Sequence, residues 1–289
     1  VAIVAAAALL PAAARADRPR GLLSRLPSLH PGAGSPKARR KPEAAAAARR
    51  VERPYRPQAE APLTRALLVA NVAVYAAQVA TGHAITRSWC KPAGPFRARL
   101  WPRLVTPCFL HGSLGHLVVN CYSLMNMGPV VERMYGTGRF GLVYTAAGVA
   151  GTAASFWLHP SSASVGASGA LFGLLGACAA TLVVNRALMD RSGERFRSLA
   201  ETALLNLALG VARPGIDGSG HLGGLCAGAL CGALFGPRLV ARRTAAWPFA
   251  VAIVDRPLVP LPRLEGQEGR EARERAAADR EMFLSVDYR

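Results

Sequence analysis

A serine, three histidines and an asparagine interrupt apolar runs of this chain, where a polar group is costly to keep. Ser168 stands in Gly166-Ala167-Ser168-Gly169-Ala170-Leu171-Phe172-Gly173, flanked by small residues on both sides. His221 sits downstream in Gly220-His221-Leu222-Gly223-Gly224, and His111, His116 and Asn120 lie upstream. A hydroxyl beside a neutral imidazole is a nucleophile with its base. The ring nitrogen takes the serine proton as oxygen attacks an acyl carbon, then delivers it to the leaving group. His116 and Asn120 are four residues apart and share a helix face. Two side-chain donors can thus converge on one point, as an acyl-transfer oxyanion requires. Nucleophilic acyl transfer is the chemistry that these residue types can do.

Each residue also has a plainer reading. Ser168 suits a close helix–helix contact, where Gly, Ala and Ser let backbones approach, and His221 suits an interfacial histidine beside a turn. A metal site on His111, His116 and Asn120 has no third acidic or thiolate ligand, so neither a metal nor a cofactor is expected. Asp217, in Pro214-Gly215-Ile216-Asp217-Gly218, reads as a turn former or helix cap, and Glu201 starts from the wrong side. A Ser-His dyad is therefore favoured over a triad. The α/β-hydrolase elbow fails as well, since position 170 is Ala and no strand precedes it. The six cysteines have no metal-ligand spacing and read as packing.

The elements that must position these groups are set by how charge is distributed. The chain has 289 residues, 51% hydrophobic, with a formal net charge of +18. A basic nucleic-acid binder would interleave its charges with apolar residues; here they segregate, so no nucleic-acid partner is expected. No Asp, Glu, Lys or Arg occurs in 66–86, 104–131, 140–185 or 218–237, and 198–212 is a weaker run carrying Glu201 and Asn206. A helix across a bilayer needs ~20 mostly apolar residues. The pattern predicts an all-α, polytopic membrane protein with six spans, at 65–82, 109–127, 140–158, 167–185, 198–212 and 220–236. The lipid bilayer is its first partner.

Six spans make spans two, four and six run in one direction from the outer face. The candidate residues then share a similar depth, and polar groups at membrane depth are functional candidates by default. Gly224, Gly228 and Gly232 form a small-residue ladder on span six, and Gly169, Gly173 and Gly176 offer a partner surface on span four. Closing those two surfaces brings His221 to Ser168. Arginines in 128–139, 186–197 and after 237 put both termini inside by the positive-inside rule, although loop 83–108, with Arg87, Lys91, Arg97, Arg99 and Arg103, runs against it.

Three segments follow: 1–62, basic and acid-poor like an organelle transit peptide; 63–240, the membrane domain; and 241–289, a C-terminal tail.

His-x4-His-x3-Asn, then Gly-Ala-Ser-Gly-Ala-Leu-Phe-Gly, then His-Leu-Gly-Gly, in that order on spans two, four and six, resembles the rhomboid intramembrane serine proteases. The resemblance covers about 64–237. It implies Ser168 as nucleophile, His221 as base, and an oxyanion hole of the Ser168 N–H, His116 and Asn120. It further implies that His111 supports a water-filled cavity, that Phe172 packs on the His221 ring, and that Gly166 and Gly169 belong to the set supporting the oxyanion site. Trp101 and Arg103 resemble the family's Trp-Arg element, here split by Pro102. Asn120-Cys-Tyr-Ser-Leu, Gly128-Pro-Val-Val-Glu132 and Asp217-Gly-Ser-Gly-His221 resemble the plastid members of plants and algae. That implies a chloroplast membrane, the inner envelope first and the mitochondrial inner membrane as the alternative. The implied activity is endoproteolysis of transmembrane proteins, at helices that unwind locally. The alternative is a catalytically silent member that binds membrane clients, a class that generally lacks the serine or the histidine.

Overall fold

The computed structural model describes residues 58–189, 215–243 and 251–260, with isolated positions 197, 201 and 204. Helix α1, Pro62–Ala80, opens on a proline at its first turn, where a missing N–H costs nothing. The connection after it holds a short helix, α2 (Ala84–Trp89), and two 3₁₀ turns, Ala98–Leu104 and Thr106–Phe109. Helices α3 (Leu114–Tyr135), α4 (Thr137–Leu158), α5 (Ser168–Val184) and α6 (Gly218–Phe235) follow. A two-stranded antiparallel sheet, β1 (Leu239–Arg243) with β2 (Val251–Asp255), pairs Leu239 with Asp255 and Arg243 with Val251.

Five of the six expected spans have helices, and the fifth, at 198–212, falls outside the described residues apart from positions 201 and 204. Helices α1, α4 and α6 are each long and apolar enough to cross a bilayer, and the 98–109 turns with α3 make a fourth candidate, bent by 79° at the break. Helix α5 has 17 residues, or about 26 Å at 1.5 Å per residue. It sits at the centre, with every residue from Ala170 to Cys178 buried.

The second span differs from expectation at both ends. Its helix starts at Leu114 rather than 109, because Ser113 caps it by accepting a hydrogen bond from the His116 N–H. His111 therefore precedes the helix. At the other end α3 continues to Tyr135, through Pro129, Glu132 and Arg133, and the loop expected at 128–139 shrinks to Gly136 with φ 79°. Charge at Glu132 ended the apolar run in the sequence, yet the side chain is buried. Its carboxylate accepts from the Leu63 N–H at 2.9 Å, the Thr64 N–H at 2.7 Å, the Thr64 hydroxyl at 2.7 Å and the Thr137 hydroxyl at 2.9 Å. One acid thus satisfies orphan N–H groups in the first turn of α1 and ties that turn to the α3–α4 corner.

The strands β1 and β2 were not expected. Arg139, read as a loop residue, lies in the first turn of α4 and is buried with Asp255 of β2, at 2.6 Å. It also donates to the Tyr135 and Phe235 carbonyls at 2.7 and 3.2 Å. The pair pins the hairpin to the bundle.

Glycines decide how α5 and α6 pack. A Cβ on Gly224, Gly228 or Gly232 would run into the backbone of Gly169, Gly173 or Ala177 respectively. A Cβ on Gly176 would meet the Leu225 carbonyl in turn. The two backbones therefore touch along three successive turns, as the ladder predicts.

Candidate active site

Ser168 is the first residue of α5, and His221 lies in the first turn of α6. With the two helices closed on their glycines, His221 Nε2 stands 2.9 Å from Ser168 Oγ, a hydrogen bond. The Phe172 ring, one turn beyond Ser168, stacks on the imidazole at 4.3 Å between centroids and 12° between planes. The stacking fixes the ring plane, so the nitrogen facing the serine is set by packing. The other nitrogen, Nδ1, is buried without a hydrogen-bond partner among the described residues.

Asp217 does not fill that role. It is the N-cap of α6, accepting from the Gly220 N–H at 2.8 Å and the Ser219 hydroxyl at 3.0 Å. Burial pushes its carboxyl up, but hydrogen bonds from Ser155, Gly220, Ser164 and Ser219 outweigh that and hold it below the usual carboxylate range. Among the described residues the arrangement is a pair and not a triad.

His116 and Asn120 converge from α3. Gly166 adopts φ 131°, a conformation open to glycine, and its N–H donates to the Pro107 carbonyl at 2.9 Å. A Cβ there would stand 2.7 Å from His116 Cε1, 2.8 Å from His116 Nε2 and 3.6 Å from Asn120 Nδ2. Both side chains thus face the segment leading into Ser168. Asn120 is buried and its Nδ2 has no partner among the described residues, which leaves a donor available in the site. N–H groups in the first turn of a helix also lack intrahelical acceptors, and Ser168 occupies that position in α5. His111 is fully buried behind this set, with its ring edge-on to His116 at 5.4 Å and both nitrogens unpaired among the described residues. Among the described residues no group of His, Cys, Asp and Glu could hold a metal ion.

A family model described as the rhomboid domain matches residues 98–238, the interval containing all of these positions. Residues 98–238 are a rhomboid domain. The chain is 44% identical over 136 residues to Rhomboid protease GluP of Bacillus subtilis, covering 47% of this chain and 26% of that protein. It is 38% identical over 130 residues to RHOMBOID-like protein 4 of Arabidopsis thaliana, covering 45% and 33%. With RHOMBOID-like protein 6, mitochondrial, of the same plant, it shares 36% over 126 residues, covering 44% and 41%. The chain therefore spans between a quarter and a half of the length of these relatives. The family and the apolar helices together make it an integral membrane protein with a helical bundle.

Two supports of the rhomboid site escaped the sequence reading. Gln78 of α1 clamps the main chain of His111 from both sides, donating to its carbonyl at 3.0 Å and accepting from its N–H at 3.1 Å. An amide in an apolar run, one of two there with Asn71, was the available signal. The second support is Lys91, which is fully buried. Its ammonium donates to the His159 and Ser162 carbonyls at 2.6 and 2.5 Å and lies 5.4 Å over the Phe156 ring. Its main chain exchanges two 3.1 Å hydrogen bonds with Ser164. His159 Nδ1 hydrogen-bonds Ser219 Oγ at 2.9 Å. The loops before α3 and before α5 and the cap of α6 thereby form one polar cluster next to His221. Nothing in spacing reveals it, because its acceptors are main-chain carbonyls. Trp101 and Arg103 lie on the Ala98–Leu104 turn, with Pro102 inside it.

Proposed function

We propose that this protein is an intramembrane serine endopeptidase that cleaves transmembrane proteins with the Ser168–His221 pair. The observation that carries the reading is the 2.9 Å contact between Ser168 Oγ and His221 Nε2 under the Phe172 ring. In the proposed reaction Ser168 Oγ attacks a substrate carbonyl carbon, and His221 Nε2 takes the hydroxyl proton. The scissile C–N bond breaks as the same nitrogen protonates the leaving amine, leaving an acyl-serine that water hydrolyses. The Ser168 N–H, Asn120 Nδ2 and His116 donate to the oxyanion, and His111 supports the cavity behind them. Presence of both members of the pair argues against a silent, client-binding protein.

The membrane we propose is the chloroplast inner envelope, with the mitochondrial inner membrane as the alternative. Support comes from the basic, acid-poor composition of 1–50 and from plant relatives, one of which is named mitochondrial. The matching experiment is cleavage of a tagged transmembrane helix in proteoliposomes. Ser168→Ala and His221→Ala are expected to lower the rate by ~10⁴-fold or more, and full cleavage by either variant ends the reading.

A further inference from the structure

Loop 83–108 carries five basic residues on the side of the bundle where the positive-inside rule expects few. Two have structural tasks. Lys91 is held by two carbonyls, and Arg87 donates to the Gly82 carbonyl at 3.1 Å. The other three, Arg97, Arg99 and Arg103, line one open cavity of about 830 Å³ together with Ser88, Trp89 and neighbouring prolines. No carboxylate residue lines it, and the side chains of the three make no hydrogen bond or ion pair among the described residues. Three arginines lining one space with no protein anion among them carry like charges that repel one another unless an anion joins them.

The surroundings say which anion. The 98–109 turns lie at 79° to α3, so if α3 crosses the bilayer they run nearly parallel to its surface. Trp89, Phe96 and Trp101 are exposed around the cavity, at 47%, 37% and 67%. Exposed Trp beside Arg at the end of a span is the pattern of the headgroup region, where the ring meets acyl chains and the charge meets phosphate. Guanidinium suits a phosphate diester through paired N–H donors.

We infer that Arg97, Arg99 and Arg103 form a binding site for the phosphate of an anionic phospholipid in the leaflet next to the candidate active site. The site is separate from Ser168 and stands whether or not the chain is a protease. It places a lipid headgroup on the loop that Lys91 fastens to the loop before α5, and so gives the basic residues of 83–108 a reason to lie on the outer side.

The test uses the full chain, purified in detergent and delipidated, then offered phosphatidylglycerol and phosphatidylcholine in competition and weighed by native mass spectrometry. The parent protein is expected to retain phosphatidylglycerol preferentially, with each arginine contributing about fivefold at low salt. Arg97→Gln/Arg99→Gln/Arg103→Gln is expected to lose that preference, and Arg65→Gln, on α1, to keep it. Since Arg97 and Arg99 are exposed, Arg97→Gln/Arg99→Gln reads most of the loss even if the triple variant does not fold. Equal retention of the two lipids by the parent overturns the proposal, as does a preference that survives both variants. Displacement of the lipid by millimolar inorganic phosphate assigns the site to a free anion and overturns the lipid.

Discussion

Gly228 of α6 lies backbone to backbone against Gly173 of α5, so that a Cβ on Gly228 would meet the Gly173 carbonyl and Cα. Main chain cannot turn aside as a side-chain end can. Gly228→Val is therefore expected to separate the helices and lower stability by about 3 kcal/mol, the upper range for overpacking. Thermal unfolding of the purified protein measures it. Gly115 gives the contrast. A Cβ there meets only Ser113 Oγ at 4.0 Å, so Gly115→Ala is expected to be neutral or to gain up to ~1 kcal/mol of helix propensity.

Glu132 holds the first turn of α1 to the α3–α4 corner by four hydrogen bonds. Glu132→Ala removes all four and leaves two main-chain N–H groups of α1 without acceptors. A loss of about 3–5 kcal/mol is expected, while Thr64→Val, which deletes one bond, costs about 1–2 kcal/mol. Comparable losses from the two variants would remove Glu132 as the organiser of this corner.

Asp217 links pH to stability. Its carboxyl is held below the usual carboxylate range by the hydrogen bonds that overcome its burial. A depressed folded-state pKa stabilises fully above the unfolded value, ~3.9, and the contribution is lost as pH falls through the lower folded value. Melting temperature between pH 6 and 3 should therefore fall less steeply in Asp217→Asn than in the parent. An identical acid limb in the two proteins excludes Asp217 as its source.

Gln78 carries a prediction of a different kind. Gln78→Leu leaves the buried N–H and carbonyl of His111 without their clamp, at ~1–3 kcal/mol for each group. Cleavage should decline with the loss of stability, while Gln78→Glu, which keeps the acceptor for the His111 N–H, should retain more of both. Equal behaviour of the two variants would place the clamp outside the support of the site.

The residues explain which parts were readable beforehand. Uncharged runs located α1, α4, α5 and α6, because each is bounded by charge or by Pro160. The ladder Gly224, Gly228, Gly232 announced its own contact, since only close backbone approach demands that spacing. The same criterion misjudged α3, where Glu132 is charged and buried at once and its partners lie 68 and 69 residues away. Arg139 was misplaced for the same reason, its partner Asp255 lying on a hairpin that hydrophobic runs do not report. Ser168, His221, His116 and Asn120 stood out because each is polar within an apolar run. Gln78 is also polar within an apolar run, but its partner is the main chain of His111, which no spacing reports. Lys91 works through main-chain carbonyls and left no pattern.

The central claim is that Ser168 is a nucleophile activated by His221, and a serine-directed fluorophosphonate probe applied to the purified protein tests it most directly. Labelling of the parent at Ser168 is expected, with no labelling of Ser168→Ala and labelling of His221→Ala slower by several orders of magnitude. Labelling that survives in Ser168→Ala, or proceeds at the parent rate in His221→Ala, would contradict it.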